Sequence, residues 1–263
     1  MTVTSPRSAL TDTVRSAVVA VLAVIQVVAA WWGGSGAGGQ SVGVVANAYP
    51  TPLLAAGWAF AIWGVIYTGF LAYAVYQALP AQRSRQVHRE TGWWTAASGV
   101  FNAGWILAFG AGWLPLAELL IIALLVSLAV VFGRLSRTPA ESLLERIVLR
   151  GTIAVYTGWV SLATVLGTAA TGVWIGLPGD GPLATVAAVV VLLATVAIVC
   201  WVIVSGTAVV GYAAAVVWGL AGITLNDPPT AVAAAGVVAV LITIAAAVRR
   251  VSTAGNPMRA AFG

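Results

Sequence analysis

Residues 183 to 224 carry no charged side chain, and this stretch restricts the possible folds more than any other. It is too long for one membrane crossing, which takes about 20 apolar residues over a hydrocarbon core of about 30 Å, and it divides best at Ser205-Gly206-Thr207. Similar apolar runs recur along all 263 residues. With 61% hydrophobic and 7% charged residues and a mean hydropathy of +1.01, the chain lies far from the roughly 25% charged composition of soluble domains. The fold class is therefore all-α, a polytopic membrane bundle. The runs are continuous rather than alternating, which excludes a β-barrel.

A formal charge of +5 could suggest nucleic acid, but in such a chain it reports topology. All 12 basic residues are arginines, at 7, 15, 83, 85, 89, 134, 137, 146, 150, 249, 250 and 259. Segments rich in arginine face the cytoplasm. After a polar tail at residues 1 to 13, spans are predicted at 14 to 32, 53 to 79, 93 to 111, from the turn at Pro115 to 132, to 172, on both sides of residues 205 to 207, and to 248. Eight spans put both termini on the cytoplasmic side of the cell membrane and every arginine with them; seven would strand the last three outside. Residues 1 to 172 then form a five-helix bundle, and 173 to 263 add three helices to the same membrane domain.

Several local expectations follow. Thr51-Pro52 supplies an N-cap and a first-turn proline for the second span. Thr138-Pro139-Ala140-Glu141 has capping-box spacing and starts the fifth span ahead of the membrane. The uncharged loop from 33 to 52 holds eight Gly or Pro residues and either caps a site or is disordered. His88 falls in a polar loop and is expected to be solvated. Gly211, Ala215 and Gly219 recur every four residues, which permits close helix packing. Cys200 is the single cysteine, so no disulfide within the chain and no cysteine-rich metal site can form.

Six of the 12 tryptophans (Trp31, Trp32, Trp93, Trp94, Trp113, Trp174) fall at predicted helix ends, where an aromatic belt accounts for them. Among the others, three spans present similar faces at helical spacing: Phe60, Trp63 and Tyr67; Asn102, Trp105 and Phe109; Tyr156, Trp159 and Ala163. Counting ~1.5 Å per residue brings Trp63, Asn102 and Trp159 to similar depths, ~13–15 Å from one membrane surface. An amide in hydrocarbon must find a partner, so Asn102 bonds a neighbouring helix or a ligand. Flat rings that also carry a donor suit a large planar amphipathic guest such as a tetrapyrrole.

Glu118, about one turn past Pro115, is the lone carboxylate within a span, placed to interact with the positive end of its helix or to couple to protons. No Ser-His-Asp set, Cys-His pair, phosphate loop or paired carboxylates is present, so no catalytic residue and no metal ligand is assigned and an enzyme is not the expected class.

Taken together, Trp58-x-Phe60-x-x-Trp63-x-x-x-Tyr67, Phe101-Asn102-x-x-Trp105 with Phe109-Gly110, and Tyr156-x-x-Trp159-Val160-Ser161-x-Ala163-Thr164 resemble the tryptophan-rich sensory protein family, the TspO/translocator protein relatives. The resemblance covers about residues 14 to 172. It implies a five-helix bundle around a pocket, capped by the first loop, that binds porphyrins or other hydrophobic planar molecules and requires no cofactor. By position Trp58, Phe60, Trp63, Asn102, Trp105, Tyr156 and Trp159 line or support that pocket, with Tyr67 and Ala163 on the same faces. Implied roles are sensing, stress regulation, transport and light-dependent porphyrin breakdown; on the residues alone, a receptor or carrier and a secondary transporter both stand. Expected partners are the bilayer, a hydrophobic small molecule and, in assembly, a homodimer, with no nucleic acid. Three positions depart from the family pattern: Ala55-Ala56-Gly57 replaces a proline pair, Val155 a proline, and Gly167 an asparagine.

Overall fold

The computed structural model describes residues 6–263 except residue 38, with side chains from Ala9 onward. Residues 1–5 and the side chain of Arg7, assigned above to the inner terminus, lie outside the described residues. Helix α1 (Pro6–Gly34) begins inside the stretch expected to be a polar tail. It is followed by α2 (Val42–Ala48), a 3-10 turn (Gly57–Ala61) that leads into α3 (Ile62–Ala78), then α4 (Gln86–Gly110) and α5 (Leu114–Arg137). A single turn, α6 (Leu143–Glu145), passes through a π-turn (Arg146–Gly151) into α7 (Thr152–Trp174). Helices α8 (Gly181–Ser205), α9 (Val209–Thr224), α10 (Thr230–Ser252) and the short α11 (Pro257–Phe262) complete the chain.

Among the described residues, six helical stretches are long and apolar enough to cross a membrane: 9–34, 57–78, 114–137, 143–174, 181–205 and 230–252. The remaining two of the eight expected, α4 and α9, fall short for visible reasons. Along α4, His88, Thr91, Thr95, Ser98 and Asn102 share one face; they lower its hydropathy, yet all are buried. α9 has 16 residues, about 24 Å of helix.

Helices α1, α3, α4, α5 and α7 close into a ring in the order α3, α1, α4, α5, α7 and back to α3. α9 lies along α7, and α10 packs against both α9 and α8. Lipid tails solvate apolar side chains as well as a neighbouring helix does, so helices gain from association chiefly where small residues allow close approach. Gly211 meets Ala154 and Val155 of α7, Ala215 meets Gly158, and Gly219 meets Trp159 and Leu162. The small-residue stripe is thus consumed within the chain.

The arginines gather at one end. There Asp12 pairs with Arg15 at 2.7 Å and with Arg89 at 2.6 Å, tying α1 to α4. Glu145 takes Arg85 on one oxygen at 2.7 Å and Arg150 on the other at 2.9 Å. Arg15, Arg150, Glu145 and Asp12 are all buried, so each depends on its partner.

Three local expectations are corrected, and one left open is decided. The Thr51 hydroxyl accepts from the Leu53 amide at 3.2 Å inside a turn, and the helix starts later, because residues 54 to 59 are held by α9. Thr138 ends α5 instead of capping the next helix: its carbonyl and that of Leu135 accept from Arg150 Nη1 at 2.7 and 2.6 Å. The cap is Ser142, whose hydroxyl accepts from the Glu145 amide at 3.1 Å. His88 is fully buried, between the rings of Tyr73 and Tyr76, since α4 starts at Gln86 and turns it inward. Of the two alternatives for the loop after α1, its described residues form a cap: Ser41 starts α2, and the Gln40 amide donates to the Gly110 carbonyl at 3.0 Å. Gly39, at φ 136°, lies so near that carbonyl that a Cβ would fall 2.5 Å from its oxygen, and only glycine fits.

Candidate functional site

Exposure divides the tryptophans. Nine are exposed, including all six assigned to helix ends; Trp63, Trp105 and Trp159 are the three that are not. Those three meet inside the five-helix ring. The Trp63 ring stacks on Tyr67 of its own helix at 5.5 Å between centroids and on Trp105 of α4 at 5.4 Å. It receives Tyr156 and Trp159 of α7 edge-on at 6.0 and 6.1 Å. Phe60, on the 3-10 turn, packs edge-on against Trp159 at 5.9 Å. The three helical faces read from spacing therefore converge.

Trp63 is also a partition. Toward α1 lies a cavity of about 340 Å³ bounded by Ala30, Gly34, the start of α2, Tyr67 and Ile106. Toward α7 lies a smaller void of about 40 Å³ under α2, bounded by Ala46, Tyr49, Phe109, Ala163, Leu166 and Gly167. Phe60, Trp63, Trp105 and Val42 line both.

Beneath the rings is a set of buried polar groups. Asn102 Nδ2 donates to Gln26 Oε1 of α1 at 3.0 Å and toward the Tyr67 hydroxyl at 3.5 Å. Gln26 Nε2, Asn102 Oδ1, the Tyr156 hydroxyl and Trp159 Nε1 are buried without a hydrogen-bond partner. Each such group costs about 1–3 kcal/mol if left unsatisfied; three are donors, and the fourth, Asn102 Oδ1, is an acceptor facing the Tyr156 hydroxyl.

Of the residues expected here, Phe60, Trp63, Tyr67, Trp105 and Ala163 line a cavity, and Asn102, Tyr156 and Trp159 support it from below. Trp58 lines neither. It is exposed and sits edge-on to Trp218 of α9 at 4.9 Å, outside the ring. Gln26 was missed, although the reasoning applied to Asn102 finds it: a lone amide inside an apolar run needs a partner, and the two amides are each other's.

Each departure from the family pattern has a local partner. The Ala56 amide donates to the Gly222 carbonyl at 2.9 Å, a bond proline cannot make. Asn226 Nδ2 to the Leu54 carbonyl at 3.0 Å and Trp218 Nε1 to the Ala59 carbonyl at 2.8 Å complete the attachment of this segment to α9. Val155 packs on Gly211. A side chain at Gly167 would begin 2.6 Å from Glu118 Oε2, so the Glu118 carboxyl, reaching across from α5, occupies its space. Its other oxygen accepts from the Thr168 hydroxyl at 2.5 Å; the carboxyl is bound to α7 rather than to the start of its own helix.

A family model described as TSPO-like protein matches residues 15–248, the ring together with most of the appended helices. No curated protein and no solved structure matches the chain.

Proposed function

The chain belongs to the TSPO-like protein family, and on that premise we propose that it is a membrane-embedded receptor or carrier for a hydrophobic planar ligand, a tetrapyrrole by class, with a sensory or regulatory role. The arginine-rich end faces the cytoplasm of the cell membrane, as the positive-inside bias requires. The observation that carries this reading is Trp63: one ring, stacked on two others and met edge-on by two more, with a void on each side. A flat guest gains from the ring faces, about 0.5–1.5 kcal/mol per aromatic pair beyond burial. Its polar edge meets Ser41, Tyr49, Thr51 and Tyr67, the hydroxyl-bearing residues of the two linings.

Protoporphyrin should quench the intrinsic tryptophan fluorescence saturably. Trp63→Ala combined with Asn102→Ala should weaken that titration about tenfold or more, since several ring contacts of the size above are lost together. Trp201→Ala, on an exposed face of α8, should leave the fitted affinity unchanged. An unaltered titration in the folded double variant would show that the site lies elsewhere.

A further inference from the structure

On the far side of the molecule from these cavities, at the arginine-rich end, a groove of about 410 Å³ opens between the π-turn, the start of α9 and α11. Its walls are apolar and turned outward: Leu143, Ile147, Met258 and Phe262 are each about half exposed or more. Met258 and Phe262 stand one turn apart on α11, so both side chains reach the same side.

The charged group in this lining is Arg146. Glu145, beside it, is fully used by Arg85 and Arg150, and Glu141 pairs with Arg85 at 2.7 Å. Among the described residues no carboxylate pairs with Arg146, and its Nε is buried without a partner. The Arg259 guanidinium donates to the carbonyls of Ser136 and Arg137 and, among the described residues, pairs with no carboxylate, so its charge also stays uncompensated. Both positive charges are close enough to act on Arg150. Arg146 is placed by the π-turn, a local widening that interrupts regular α-helix and often marks a functional position.

An apolar groove open to the membrane, with unneutralised guanidinium at its charged end, is complementary to one kind of molecule. We propose that the groove binds an anionic phospholipid, its phosphate on Arg146 and one acyl chain along Ile147, Met258 and Phe262. The phosphate supplies the acceptor that Arg146 lacks, and the shape of the apolar groove beside it holds one acyl chain in place.

The test is native mass spectrometry of the full chain in mild detergent with equimolar phosphatidylglycerol and phosphatidylcholine. Preferential retention of phosphatidylglycerol is expected. Arg146→Gln should reduce it about fivefold, the effect of one basic residue at an anionic surface, whereas Arg83→Gln, the same charge change on the loop between α3 and α4, should not. Phe262→Ala should weaken retention as well, and excess inorganic phosphate should not displace the lipid. Equal retention of both lipids, equal loss in the two arginine variants, or displacement by phosphate with no effect of Phe262→Ala would each overturn the proposal. Melting temperature is read alongside; Arg146→Lys, which keeps the charge, should restore most of the retention if Arg146→Gln proves unstable.

Discussion

The two ends of the five-helix ring are built on opposite principles. At the arginine-rich end, α1, α4 and the π-turn are joined by buried ion pairs in which every carboxylate oxygen of Asp12 and Glu145 is engaged. At the other end no ion pair closes the bundle among the described residues; backbone amides, ring contacts and the α2 cap do so, and cavities remain. A buried charge tolerates one geometry, because losing its partner leaves it stranded in low dielectric. Apolar rings around a void tolerate several. One end of the ring is therefore fixed and the other can adapt to a guest, in keeping with binding regions being drawn from the less stable parts of a fold.

This contrast can be broken most forcefully at Glu145. Glu145→Ala strands two arginines, one of them fully buried, and should cost about 3–5 kcal/mol, seen as a large drop in melting temperature in detergent; an unshifted melting curve would remove the fixed end from the picture. A smaller effect is expected at the adaptable end. Ala56 has φ −57°, which proline accepts, but the proline ring would replace the amide hydrogen aimed at the Gly222 carbonyl, so Ala56→Pro should cost about 1–3 kcal/mol. If the 51 to 61 segment governs access, protoporphyrin affinity should also change in this variant, while in Glu145→Ala that survives folding it should not. The smallest effect belongs to Glu141→Ala. Glu141 approaches Arg85 at the same 2.7 Å as Glu145 does, but its side chain is 75% exposed against 1%. Solvent screening leaves such a pair at most about 1 kcal/mol, so its melting curve should nearly overlay the native one. The two glutamates thus separate burial from distance with a single shared arginine.

Where local spacing carried the information, it could be read in advance. The helical faces that carry Trp63, Asn102 and Trp159 converge because helical periodicity and depth counting are backbone properties, and the outcome depends little on what surrounds each helix. The small-residue stripe of α9 was legible for the same reason. Trp58 was not: a tryptophan beside the site and one facing away from it have the same local sequence, and only the docking of α9 turns it outward. His88 was misread because seven residues at a helix start, 86 instead of 93, decide whether a side chain lies in a loop or on an inward face. Thr138 has capping-box spacing, but Arg150, twelve residues later, claims its carbonyl for the end of α5.

By itself the sequence determined that the chain is a polytopic helical membrane protein, that its arginines belong to one side, and that three aromatic faces lie at one depth, since bilayer thickness and helical geometry act on composition and spacing alone. The tertiary structure decided that Gln26 completes Asn102, that Trp63 divides two voids, that Glu118 fills the space of a missing side chain at Gly167, and that the appended helices hold the segment entering α3. These are contacts between residues tens to more than a hundred positions apart. Such contacts depend on which helices become neighbours, a choice made by packing of the whole bundle and written in no single stretch of it.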